Sequence, residues 1–328
     1  MFNSNLLSWL LEDDPENPSI RYFALRDLLD QPEDAHEVRR AKKAIMLCGP
    51  VPQILAAQQV EGNWVPQGGK YQSTASQIIF MNELGVDSRD RRILLGCQYV
   101  LNHSIASNHA FVHFSDPPVP SKAVHCDNGP LVYALIRLGL CDDPRVQAAL
   151  EWQAEAIIGK LSSGRYYKST TAGPNFVCGV NQGQPCGWGA TKAMRAMVAV
   201  PKSKHTPAMQ QAIKAGTDFL LSHDLATADF PHTERISSAW FKFGFPLSYW
   251  SDILETTEVL VDLGYGNDPR LAKVFELFLN KQDSQGRWKL ENSLNGKMWV
   301  DIERKGQPSK WITLRVLRVL KRAGRAPV

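Results

Sequence analysis

The chain has 328 residues, 44% hydrophobic and 21% charged, with a net charge of +4. This is ordinary globular composition, long enough for one large core or two domains. The basic residues are few in excess and dispersed, which argues against a nucleic-acid partner.

No apolar run approaches the ~18 residues of a membrane-spanning helix. The start, MFNSNLLSWLLEDDPENPS, lacks a basic stretch and meets acidic residues too early for a secretory signal. A cytoplasmic protein is expected, leaving open transient contact with a membrane surface. Its six cysteines (48, 97, 126, 141, 178 and 186) are then expected to be reduced.

In chain order, five helix-length apolar segments stand out: QSTASQIIFMNELG, GPLVYALIRLG, WGATKAMRAMVAVP, SDILETTEVLVDLG and SKWITLRVLRVLKRAG. Leu131, Ala134, Leu135 and Leu138 show the i, i+3, i+4, i+7 stripe, as do Ala190, Ala193, Met194 and Met197. The segments stop at Gly85, Gly139, Pro201, Gly264 and Gly324, about 60 residues apart. More charged second helices lie between them: SRDRRILLGCQYVLNH, DPRVQAALEWQAEAII, PAMQQAIKAGTDFLLSH and DPRLAKVFELFLNKQ. Two helices per unit at this period predict a helical repeat, stacked open or closed on itself. The basic stretch RVLRVLKRAGRAPV is read as a helix C-terminus, where cations are favoured.

QQVEGNW (Gln58, Gly62, Trp64) and QDSQGRW (Gln282, Gly286, Trp288) both fit Q-x-x-x-G-x-W, and KLSSGRY (Lys160, Gly164, Tyr166) is a degraded copy. Glycine permits a left-handed turn, the glutamine amide bonds free backbone groups at a helix end, and the ring packs on the turn. These are expected to be structural staples. This motif at helix-pair spacing resembles the α/α-toroid superfamily, which includes squalene–hopene and other triterpene cyclases and the β subunits of protein prenyltransferases. IRYFALRDLLD, LVYALIRLG, GATKAMRAM, FGFPLSYWSDIL and GKMWVDIERKGQPSKWITLRVLRVL are similar to stand-alone bacterial prenyltransferase/squalene-oxidase-repeat proteins of that superfamily. The resemblance implies an all-α fold: one α/α toroid over residues 1–328, about five or six helix pairs, with a central cavity.

In a toroid the inner helices run the same way, so the loops preceding them meet at one rim. Cys126 and Cys186 stand at the starts of adjacent inner helices, Cys178 is one short loop away, and His232 precedes the next inner helix. Together they would make a Cys₃His zinc site. A closed set would be structural; an open position would let zinc act as a Lewis acid. The other readings are a Cys178–Cys186 disulfide, reactive thiols, or small buried side chains like Cys48, Cys97 and Cys141. His125 is a substitute ligand. The prenyltransferase β-subunit pattern of an Asp and a Cys two apart is not present.

Neither EDDP nor CDDP is the D-x-D-D of the cyclases, and no D-D-x-x-D appears. Asp142 and Asp143 precede Pro144 and read as helix caps. Asp252, at an inner-helix start, and Asp301, with Glu303 nearby, are the candidate proton donors. Cys186 is a third catalytic candidate, and Tyr71, Tyr166 and Tyr167 are further proton carriers. Trp188, Trp240, Phe243, Phe245, Tyr249, Trp250, Trp299 and Trp311 crowd the same loops and would line a cavity for an apolar substrate. Lys310 and Arg315 would attract an anionic group. The expected function is acid- or zinc-assisted cyclisation, isomerisation, hydration or elimination of a hydrophobic, isoprenoid-like substrate without a nucleotide cofactor. The alternatives are a cofactor-free thiol acid/base lyase or isomerase, and a non-catalytic lipid-binding or scaffold toroid with structural zinc.

Overall fold

A computed structural model describes residues 4–65, 70–160, 172–230 and 237–325. The fold is mostly helical; in the described residues the named strands are β1 (Val177–Cys178) and β2 (Gln184–Pro185), paired antiparallel. The helices are α1 (Ser4–Leu11), α2 (Pro18–Phe23), α3 (His36–Ile45), α4 (Pro50–Ala56), α5 (Thr74–Leu84), α6 (Arg91–His103) and α7 (His125–Leu135). There follow α8 (Pro144–Ile158), α9 (Gly187–Ala199), α10 (Pro207–Leu221), α11 (Ile253–Asp262), α12 (Ala272–Asn280) and α13 (Lys310–Arg322). Helices α2 and α7 continue into π-helical turns, Ala24–Leu28 and Ile136–Leu140. No described helix is long and apolar enough to cross a membrane.

Two kinds of helix alternate. Helices α5, α7, α9, α11 and α13 are buried on nearly every side, as expected of helices surrounded by others. Helix α6 buries only the stripe Ile93, Gly96, Cys97, Val100 and Leu101. The buried helices pack in series, α5 on α7, α7 on α9, α9 on α11, α11 on α13, and α13 packs on α2. Ser19 at the start of α2 donates to the Leu84 carbonyl at 2.7 Å, joining α2 to α5. One connected apolar core runs from Leu6 to Ala323.

Local chemistry sets the helix ends. Gly85 takes the left-handed conformation that closes α5 (φ 73°). Asp90, Asp143 and Asp268 each accept the amide two residues on, from Arg92, Arg145 and Arg270, and pair with that arginine side chain. Asp143 is therefore a cap, as the CDDP stretch predicts, while Asp142 pairs with Lys204.

The two complete Q-x-x-x-G-x-W copies act alike. Gln58 Nε2 donates to the Gly62 carbonyl at 2.8 Å, and Gln282 Nε2 to the Gly286 carbonyl at 2.9 Å. Both glycines have positive φ. Trp64 Nε1 donates to the Ile54 carbonyl in the last turn of α4, and Trp288 Nε1 to the Phe278 carbonyl in the last turn of α12. Each indole thus satisfies a carbonyl that the helix end leaves free. The tryptophan amides bond Thr74 Oγ1 in α5 and Thr313 Oγ1 in α13. Each motif ties an outer helix, its turn and the following inner helix together. Gly164, Tyr166 and Tyr167 lie outside the described residues.

Candidate functional site

The close contact between α7 and α9 begins with glycine. A Cβ on Gly129 would sit 2.5 Å from the Lys192 carbonyl oxygen, and one on Gly189 would sit 3.3 Å from His125 Cβ. Bare backbones at both places let the helix starts meet, which brings Cys126 beside Cys186. The hairpin β1–β2 pairs Cys178 with Gln184 and returns the chain to Cys186. The three predicted cysteines therefore converge, and all are free thiols.

Their environments differ. The Cys186 thiol donates toward Cys178, and with the amides of Asn181 and Val180 this draws the Cys178 pKa down to about 6. Cys186 is pushed well up, first by the negative sulfur of Cys178 and then by burial and Cys126. Its sulfur also accepts the Gly189 amide at 3.4 Å, capping α9. Burial, then the nearby Cys178, raises Cys126. The hydrogen bond between them thus favours negative charge on Cys178 and the proton on Cys186.

Among the described residues no group of three or more His, Cys, Asp or Glu side chains is gathered closely enough to hold a metal ion. His232 lies outside the described residues. The thiols as placed share a proton and do not by themselves close around an ion. His125, the substitute ligand, is buried, with the Gly173 backbone as a polar neighbour of its ring. It is packed between Trp152 and Phe176, with burial lowering its pKa to about 4.

Sequence reasoning missed an acid–imidazole pair beside the thiols. His113 Nδ1 contacts Asp127 Oδ1, and the His113 amide donates to Asp127 Oδ2 at 3.1 Å. Both side chains are almost fully buried. Asn128 fixes the same loop by accepting the Phe111 amide at 2.9 Å and donating to Gln153 at 3.1 Å. A carboxylate on Nδ1 orients the ring and leaves Nε2 as the proton-exchanging side. The available signal was the long connection between α6 and α7, FVHFSDPPVP included, since long loops in compact domains carry function.

An aromatic group continues from this pair. Phe114 meets the Tyr249 ring edge-on at 5.7 Å, and Trp188 meets it at 6.4 Å. Tyr71 stacks on Tyr249 at 6.5 Å, its pKa raised first by burial and then by the hydrogen bond to Tyr249. Lys70 Nζ lies 4.1 Å from the Tyr249 ring centre. Trp299 Nε1 donates to the Gln72 carbonyl at 3.1 Å. Loops preceding α5, α7, α9, α11 and α13 thus meet at one end of the molecule.

Several expectations need correction. Trp240, Phe245, Trp250 and Trp311 are buried core residues, not lining. Phe245 and Trp311 stack at 3.9 Å, and Trp240 Nε1 bonds the Leu225 carbonyl. Of the predicted aromatic lining, Trp188, Tyr249 and Trp299 are the half-buried members at this end. Asp252 is fully buried, but it caps α11 by accepting the Glu255 amide at 2.7 Å and also accepts the Gly244 amide at 3.0 Å. Burial raises its pKa, opposed by Arg315; with both oxygens engaged it is a structural acid. Asp301 is exposed and accepts the Gly296 amide in a surface turn. Glu303, pushed up to about 7 by burial, instead bonds Ser309 and the Lys310 and Trp311 amides at the start of α13. Lys310 is neutralised by Glu12 and Asp14, and Arg315 by Glu258 at 2.8 Å. Neither cation is free for a substrate.

The interior between the helices is also more polar than expected. Lys192 pairs with Glu255 at 2.7 Å, and Arg195 bridges Glu255 and Glu83, each at 2.9 Å. Thr191 and Thr256 hydroxyls meet at 2.8 Å. A cavity of about 510 Å³ lies at the opposite end from the thiols, where α5, α7, α9, α11 and α13 finish, and its lining is largely charged.

No family model matches the chain, and no curated protein matches it. Among solved structures, a protein from Actinoplanes is similar at TM-score 0.31 and 12% identity, covering 84% of this chain and 97% of its own. At that level the likeness carries no argument.

Proposed function

We propose that the chain is a cytoplasmic enzyme, one α/α toroid spanning residues 1–328, that performs acid–base elimination or isomerisation on a hydrophobic alkenol through paired thiols. The toroid reading rests on the packing of the buried helices in series and the return of α13 to α2. The observation that carries the chemistry is the Cys178–Cys186 pair, one thiol favoured as thiolate and its partner held protonated. An acid and a base are thereby kept apart in protonation state within one contact.

In elimination, the Cys178 thiolate takes a proton from the carbon next to the hydroxyl-bearing carbon. Cys186 gives its proton to the departing oxygen, the C–O bond breaks, a C=C bond forms and water leaves. Proton transfer from Cys178 to Cys186 along their hydrogen bond restores the pair. Trp188, Tyr249 and Trp299 offer ring faces to an apolar chain.

The test is incubation with isoprenoid alkenols, following water loss and alkene formation by gas chromatography–mass spectrometry. Wild type is expected to convert substrate at a rate that rises with pH through the Cys178 transition near 6, and Cys178→Ser to lose that conversion. Full turnover by Cys178→Ser refutes the mechanism. A second reading, zinc held by Cys126, Cys178, Cys186 and His232, requires the thiols to draw together from where they stand, and elemental analysis should then give about one zinc per chain.

A further inference from the structure

The cavity at the far end, about 510 Å³, is within the ordinary range for a small-molecule site. Its lining carries more than a set of closed ion pairs. Every carboxylate on it already has a cation: Asp27 has Arg318, Glu33 has Arg26, Glu83 has Arg195, Glu258 has Arg315 and Asp262 has Arg322. Two lining cations remain without a carboxylate in contact. Arg137 has no ion-pair or hydrogen-bond partner among the described residues. Lys42 reaches only the Gly85 carbonyl at 2.9 Å and the Tyr22 ring, centred 4.5 Å away.

Burial lowers the Lys42 pKa, opposed by Glu33 and Asp87, which lie nearby without touching it, and reinforced by Arg137. Beside them on the same lining, the Asn82 amide, the Ser88 hydroxyl and the Tyr133 hydroxyl have no hydrogen-bond partner among the described residues. Arg318 adds a buried Nε with no partner. Cations are favoured where helices end, which accounts for arginines at this end. It does not account for two cations without a carboxylate in contact, the half-buried Lys42 and the exposed Arg137, beside three unused neutral donors on one cavity lining.

We propose that this cavity binds a small organic oxyanion, carboxylate or phosphoryl, between Lys42 and Arg137. Arg137 supplies a planar fork that suits either group, and Lys42 a point charge. The anion would neutralise both cations and accept from Ser88, Asn82 and Tyr133. The site lies at the opposite end from the thiols, so it is independent of the chemistry proposed there.

The experiment is isothermal titration of the full chain at low salt with citrate and, separately, inorganic phosphate. At least one is expected to bind, with the preferred anion telling carboxylate from phosphoryl selectivity. Arg137→Met and Lys42→Met should each weaken it about tenfold. Lys242→Met, an exposed cation outside this lining, makes the same charge change and should leave binding unaltered. Circular dichroism and thermal melting confirm that each variant is folded. Failure of both anions to bind, or equal weakening by Lys242→Met, overturns the proposal. So does retained affinity in either cavity variant.

Discussion

The approach of α7 to α9 can be tested by one methyl group. Gly129→Ala puts a Cβ 2.5 Å from the Lys192 carbonyl oxygen and 2.7 Å from its carbon. Both are backbone atoms inside α9, so no side-chain rotation can relieve the contact. To reach 3.4 Å the helices must part by roughly 0.9 Å. Overpacking of this kind costs ~1–3 kcal/mol, and a backbone obstacle belongs at the upper end. Alanine regains ~1 kcal/mol of helix propensity. The net expectation is a loss of about 2 kcal/mol. Gly96→Ala is the comparison, because its 2.8 Å contact is with Ile78 Cδ1, the movable end of a side chain. Urea unfolding followed by circular dichroism should show a lower midpoint for Gly129→Ala and little change for Gly96→Ala. An equal or higher midpoint for Gly129→Ala would refute the claim that bare backbones bring Cys126 to Cys186.

Glu255→Gln should cost about 3–5 kcal/mol, because Lys192 then lies buried without its carboxylate. Lys192→Met should cost less, since Glu255 keeps Arg195; urea unfolding of both variants checks the order. His125 has a folded-state pKa of about 4 against an ordinary 6.5, so the unfolded chain binds the extra proton between these values. Its contribution is complete above pH 6.5 and falls by about 3 kcal/mol as pH drops toward 4; His125→Phe should flatten that part of a stability–pH curve. Iodoacetamide modification of Cys178, located by peptide mass spectrometry, should rise with a midpoint near pH 6. Cys186→Ala should move that midpoint upward by removing the donor; an unchanged midpoint would contradict the shared proton.

Periodicity, helix stops and the Q-x-x-x-G-x-W copies were legible in the sequence because they are local. Gln58, Gly62 and Trp64 make their turn within a few residues, and Asp143 meets its own helix's amide. The convergence of Cys126, Cys178 and Cys186 was also legible, since loops before successive parallel helices must emerge at one end. Roles depending on distant partners were not. Nothing near Arg315 in the chain announces Glu258, 57 residues away. Lys310 looked free until Glu12 and Asp14 arrived from the other end of the chain. The aromatic residues were visible, but which ones are covered depends on neighbours such as Phe245 over Trp311. His113 and Asp127 are unremarkable apart, and become a pair only when the loop folds onto α7. Sequence by itself determined the helices, their stops and the staples, whose bonds close over short stretches of backbone. Tertiary structure alone decided which charges are neutralised, which rings are covered and where the cavity lies, because those depend on distances between residues far apart in the chain.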